Sequence, residues 1–205
     1  MVDRQPTSLC FFGVIEWMRA MRHVLLSLTL ATGLVLLFVC GSPAASAPAL
    51  NEYELKAAFL YNFVKFTEWP AEESGKGDAP FIIGVLGKDP FGAALDKLIE
   101  GETIHDKKIV ARRFPRMDAA AANSHVLFIS ASEEQNLTAI LKHLDGQAVL
   151  TVSEITNFAQ RGGIIDLKKE NNRIVFEINL LTARRAGLAM NAQLLKLAKV
   201  VRDRS

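Results

Sequence analysis

Three short apolar runs set the terms on which this chain can fold: Phe81 to Leu86 (FIIGVL), His125 to Ser130 (HVLFIS) and Ala148 to Val152 (AVLTV). Each has strand length and no polar alternation, the pattern of a strand covered on both faces. Helical patterns separate them. Asp89 followed by Pro90 reads as a cap and first helical residue, with Phe91, Leu95 and Leu98 behind it. Ser132 and Gln135 read as a capping box ahead of the stripe Leu137, Ile140, Leu141 and Leu144. Lys108 to Phe114 is a further strand whose charged end suggests an exposed edge, and Ala119 to Ala122 is a short helix or turn.

The C-terminal third changes rhythm. Ile155 to Gln160 reads as a short helical segment ended by Gly162 and Gly163. Ile164 to Lys168 and Arg173 to Asn179 flank the polar turn Lys169 to Asn172, a hairpin signal. Leu180 to Ala186 and Asn191 to Ala198 are the last helical pieces, broken at Gly187. This order predicts a single α/β domain: a mostly parallel sheet with helices on both faces and an antiparallel edge hairpin.

A first amphipathic helix is expected over 51–69, with Leu55, Phe59, Asn62, Phe63 and Phe66 recurring every three or four residues and Pro70 ending it. Phe59, Phe63 and Phe66 share a face suited to packing on the sheet. Tyr53 and Tyr61 point elsewhere, and Tyr61 and Trp69 are candidates for a partner or dimer surface, where amphipathic aromatics are favoured. Glu177, Arg184 and Arg185 join them as interface candidates, against the plainer reading of a solvated face.

Residues 1–49 read as a leader. Arg19, Arg22 and His23 precede the uncharged stretch Val24 to Gly41, and the small residues SPAASAPA follow, the order of a secretory signal. Cleavage after Ala49 puts small residues at −1 and −3. An uncleaved anchor is the competing reading, because 18 apolar residues reach the lower edge of spanning length. Lipidation at Cys40 is disfavoured by the bulky Val39 before it. The apolar patch Phe11 to Trp17 upstream of the basic start suggests translation from Met18 or Met21. Export to the periplasm of a Gram-negative cell is the expected address, with residues 50–205 as the exported domain. That domain carries 21 Lys and Arg against 20 Asp and Glu, a balance that offers no support for nucleic-acid binding. Its cysteine count is zero, since Cys10 and Cys40 both lie in the leader.

Chemistry is sparse. Gly84, Gly87 and Gly92 superficially suggest a phosphate loop, but Gly87 and Lys88 are followed by Asp89, with no earlier glycine at the required offset. His105, His125 and His143 form no metal-binding spacing, and a thiol nucleophile is excluded in the domain. Ser130 and Ser132 lack the G-x-S-x-G elbow. No catalytic residue, metal or cofactor is expected. The crevice at the carboxyl ends of the strands remains available to a small ligand.

The wording of several blocks resembles the YfiR family of small periplasmic proteins: EYELKAAFLYNFVKFTEWP (52–70), IGVLGKDPFG (83–92), HVLFIS (125–130), VLTVSE (149–154), FAQRGGIIDL (158–167) and RIVFEINLLTARRAGLAMNAQLLKLAKV (173–200). The resemblance implies a regulator rather than an enzyme. It implies a homodimer that represses the periplasmic region of an inner-membrane diguanylate cyclase until a signal or an outer-membrane lipoprotein sequesters it. Redox-responsive members carry cysteines in this domain; the present chain does not, so a disulfide switch is not expected. The alternative function is a periplasmic small-molecule-binding sensor or carrier. An enzyme ranks third.

Overall fold

In a computed structural model, the described residues are 51–70 and 79–201, all within the compact unit Leu50–Ser205. The leader expectations for 1–49 fall outside them. In chain order the elements are α1 (Glu52–Lys65), β1 (Thr67–Glu68), β2 (Phe81–Leu86), α2 (Ala93–Ile99), β3 (Thr103–Ile104), β4 (Lys107–Phe114), α3 (Ala119–Ala122) and β5 (Val126–Ile129). A 3-10 turn (Ala131–Asn136), α4 (Leu137–His143), β6 (Leu150–Ser153), β7 (Ile165–Glu170) and β8 (Arg173–Asn179) follow. The chain closes with α5 (Leu180–Arg185), β9 (Ala189–Met190), α6 (Ala192–Leu197) and β10 (Lys199–Val201).

Eight strands form one sheet in the order β10-β8-β7-β6-β5-β2-β4-β3. β4, β2, β5, β6 and β7 run parallel, and β7 turns back antiparallel into β8. Asn171 and Asn172, both at positive φ (48° and 61°), make that turn, a geometry asparagine tolerates well. This is the α/β class expected, with its antiparallel hairpin.

Both faces of the central strands are buried, as their unbroken apolar runs require. On β5, Val126 and Phe128 face one core while Leu127 and Ile129 face the other. The first core is roofed by α1, α2, α5 and α6, and the second by α3 and α4 with Ile155 and Phe158. Phe63, fully buried on α1, meets Phe176 of β8 edge-on at 5.1 Å, and Phe59 meets the same ring at 5.7 Å.

Local chemistry shifts several boundaries. α1 ends at Lys65 rather than running to 69, because Thr67 and Glu68 pair with Met190 and Ala189 as a small antiparallel sheet. Its buried side is centred on Ala57, Leu60, Phe63 and Val64, so the stripe is rotated from the one read off the phenylalanines. Asp89 does not open a helix at Pro90: its Oδ1 accepts from the Phe91 N–H in a local turn, and α2 begins at Ala93. The Ser132/Gln135 box is replaced by Ser130, whose hydroxyl accepts from the Ser132 N–H. Residues 155–160 form successive turns instead of a helix, since Asn157 adopts φ 59°. Among the described residues no helix is long and apolar enough to cross a membrane.

Phe63→Ala is expected to cost about 3–5 kcal/mol, the range for losing a fully buried aromatic ring. Phe59→Ala, at a half-buried site, costs less. Urea midpoints of the two variants read the difference.

Candidate functional site

In a parallel sheet the default binding crevice lies where the strand order reverses, here at the carboxyl ends of β2 and β5. That place is filled. Gly87 leaves β2 at φ 84°, and a Cβ there would fall 2.4 Å from Ser132 Oγ and 2.8 Å from Glu133 Cγ. The Lys88 N–H donates to the same Ser132 hydroxyl at 2.9 Å. Glycine is therefore required by a close approach of the 3-10 turn, not by a phosphate.

The open concavity at this end lies further along, beside β7, with a volume of about 630 Å³. Tyr53, Lys56, Glu154, Asp166 and Lys168 are among its lining residues. Lys56 is a buried lysine on α1 whose ammonium lies 2.5 Å from Glu154 and 2.7 Å from Glu52. Burial alone would depress its pKa; the hydrogen bonds to Glu154 and Glu52 outweigh that and raise it. Tyr53 donates its hydroxyl to Glu154 at 3.2 Å.

A second ionic group sits on the hairpin. Glu177 is buried and receives Lys168 at 3.0 Å, Lys199 at 3.1 Å and the Gln160 amide at 2.6 Å. Desolvation pushes its carboxyl up, but these three donors outweigh it and hold the pKa below the ordinary glutamate value. Asp166, its cross-strand neighbour, is fully buried, and neither oxygen completes a well-formed hydrogen bond. Lys168 stands 3.5 Å from it. Burial therefore raises the Asp166 pKa, with repulsion from Glu177 adding to the effect.

The opposite end of the sheet carries a larger cavity, about 730 Å³, at the amino ends of β2, β5 and β6. Its wall holds His125, whose ring stacks on Phe81 at 4.2 Å and accepts the Ile82 N–H through Nδ1 at 3.1 Å. Trp69 packs edge-on against the same Phe81 at 5.0 Å. Lys107, Arg112 and Arg185 contribute three cationic side chains to the lining.

The five interface candidates do not form one site. Trp69 stacks against Phe81 beside the larger cavity, and Arg185 lines that cavity. Tyr61 stands on α1, where its hydroxyl donates to Glu102 and its pKa is raised by that bond. Arg184 is exposed on α5. Glu177 is enclosed within the hairpin's ionic group rather than presented to solvent. Lys56, Lys107 and Arg112 were not singled out by sequence. Lysine at a helix position flanked by apolar residues was a signal for Lys56; nothing local marked the others. Among the described residues no group of three His, Cys, Asp or Glu side chains is arranged to hold a metal ion.

Asp166 and Glu177 pull stability in opposite directions with pH. Between the ordinary value of 3.8 and its raised native value, folded Asp166 keeps a proton the unfolded chain has released, so stability falls as pH rises. Glu177, lowered from 4.5, contributes stability above that value, and the contribution is lost as pH falls through its native pKa. Asp166→Asn removes only the first effect. The variant is expected to gain stability over the wild type as pH rises from about 4 to 7, read by urea midpoints across that range. A pH-independent difference contradicts the assignment.

Comparison with curated proteins finds no significant match. A solved structure of a conserved domain protein from Vibrio cholerae O1 biovar El Tor str. N16961 aligns at 15% identity and a TM-score of 0.48. The alignment covers 75% of this chain and 61% of that one, so this chain spans under two thirds of that protein's length. The YfiR/HmsC-like family model matches residues 53–199, from the first turn of α1 to the start of β10. The chain therefore belongs to the YfiR/HmsC-like family, whose members are regulators rather than catalysts.

Proposed function

We propose that this protein is a periplasmic regulator that binds and represses the sensor region of a membrane-bound signalling enzyme, a diguanylate cyclase. The observation that carries the reading is the family match over nearly the whole described fold. The mechanism is a shift of population. A repressor that binds the inactive state of the enzyme more tightly moves the equilibrium by the ratio of the two affinities, and equal affinity would move nothing. An outer-membrane lipoprotein that sequesters the repressor would release the enzyme. The repressor acts as a homodimer in this reading, exported by a cleaved signal peptide.

The exposed surface near β10 supports a binding role. Leu181 is 42% exposed, Leu197 76% and Val200 38%, the large apolar side chains that stand out among the described residues. Leu181 and Arg184 lie three apart on α5, on one side of the helix. Val201 pairs with Asn179, the cap of α5, which brings the end of β10 to the start of that helix. Apolar side chains rimmed by arginine are the composition of a protein interface. With both cysteines outside residues 53–199, regulation runs through binding rather than a disulfide within the domain.

The second reading, a small-molecule sensor, draws on the two cavities at the ends of the sheet. Deleting the gene separates the two. Repression predicts a several-fold rise in cellular cyclic di-GMP, restored by the wild-type gene. The Leu181→Ser/Leu197→Ser double variant is expected to restore it poorly while keeping wild-type thermal stability. An unchanged level, with the protein present in the parent strain, argues against repression.

A further inference from the structure

Several cations of this chain sit against carboxylates. Lys56 pairs with Glu52 and Glu154, Lys168 with Asp166 and Glu177, and Arg161 with Glu134. Arg113 shows the habit most fully: it takes Asp96 through two nitrogens, at 2.7 and 2.6 Å, and Asp89 through a third at 3.0 Å. Its neighbour Arg112 does the reverse. Successive residues of a strand point to opposite faces, so Arg112 leaves β4 on the other side and enters the lining of the larger cavity.

There it joins Lys107 and Arg185, and none of the three forms an ion pair among the described residues. No described lining residue is a carboxylate. In a chain whose formal net charge is only +2, two exposed arginines and a half-buried lysine, none with an ion pair among the described residues, are thus gathered around one concavity. Like charges in a recess repel, and low-dielectric walls focus the field they make. Ser124 also lines the wall, but its Oγ is enclosed beside Gly84, among the side chains of Leu127 and Phe114, and has no hydrogen-bond partner among the described residues. The close approach of Ser124 is built into the sheet, since a Cβ on Gly84 would lie 2.6 Å from that oxygen.

We propose that this cavity binds a small polyanion carrying phosphate or carboxylate groups. Arginine's planar fork matches both groups bidentately, and two arginines with a lysine suit a ligand bearing at least two anionic groups. The cavity, about 730 Å³, has the size of a metabolite site. The ligand site is independent of repression and stands at the far end of the sheet from Glu154 and Asp166.

Titration of the purified protein with inorganic pyrophosphate and, separately, with citrate tests it, by calorimetry and thermal shift at constant ionic strength held with sodium chloride. At least one of the two is expected to bind at millimolar concentration or below and to raise Tm; pyrophosphate alone assigns phosphate, citrate alone carboxylate. The Arg112→Gln/Arg185→Gln variant is expected to weaken binding about tenfold or more, with an unchanged circular dichroism spectrum. Arg173→Gln, an exposed cation outside the cavity, is expected to bind as the wild type does. Absence of binding by both probes, or equal weakening in Arg173→Gln, overturns the assignment.

Discussion

Burial of β2, β5 and β6 on both faces is the constraint from which the rest of this structure follows. A parallel sheet offers no solvated side, so each face must be covered by helices. The chain meets this by sending α2 to one face and α4 to the other, around a strand order that places β2 in the interior. The amino-terminal helix α1 supplies the cover that α2 alone cannot. It does so with Ala57, Leu60, Phe63 and Val64 packed down and Phe59 held against Phe176.

That arrangement leaves two ends with different electrostatics. At the carboxyl ends of the strands, Lys56 is matched with Glu154 and Glu177 with Lys168 and Lys199, while buried Asp166 has Lys168 at 3.5 Å. Removing one member of such a set leaves a buried charge without compensation, which costs more than the pair contributes. At the amino ends, Lys107, Arg112 and Arg185 are gathered without an ion pair among the described residues. Matched charges fit a structural role, and unmatched ones fit recognition. The two ends are separated by the length of the strands.

The frame was legible in the amino-acid order, and the reason is physical. FIIGVL and HVLFIS are too apolar and too short for anything but doubly covered strands, and the hairpin announced itself through Asn171 and Asn172. What escaped was tertiary. β1, β9 and β10 are two or three residues long and exist only because a neighbour completes them. The helix at Asp89 started three residues late because the carboxylate was taken by a turn and by Arg113. Arg112 and Lys107 looked like any charged edge strand; their convergence with Arg185, more than seventy residues later, depends on the strand order. Glu177 read as an exposed alternating position, whereas β10 covers it by pairing Lys199 directly alongside.

Native-state hydrogen exchange tests most directly whether the doubly covered strands hold the fold. Amides of Ile83 to Leu86, Val126 to Ile129 and Leu150 to Ser153 are expected to exchange last, together, and only through global unfolding. Those of β1, β3, β9 and β10 are expected to exchange earlier by local opening. Slowest exchange in the β7–β8 hairpin, with the three central strands opening before it, would contradict the central place given to double burial.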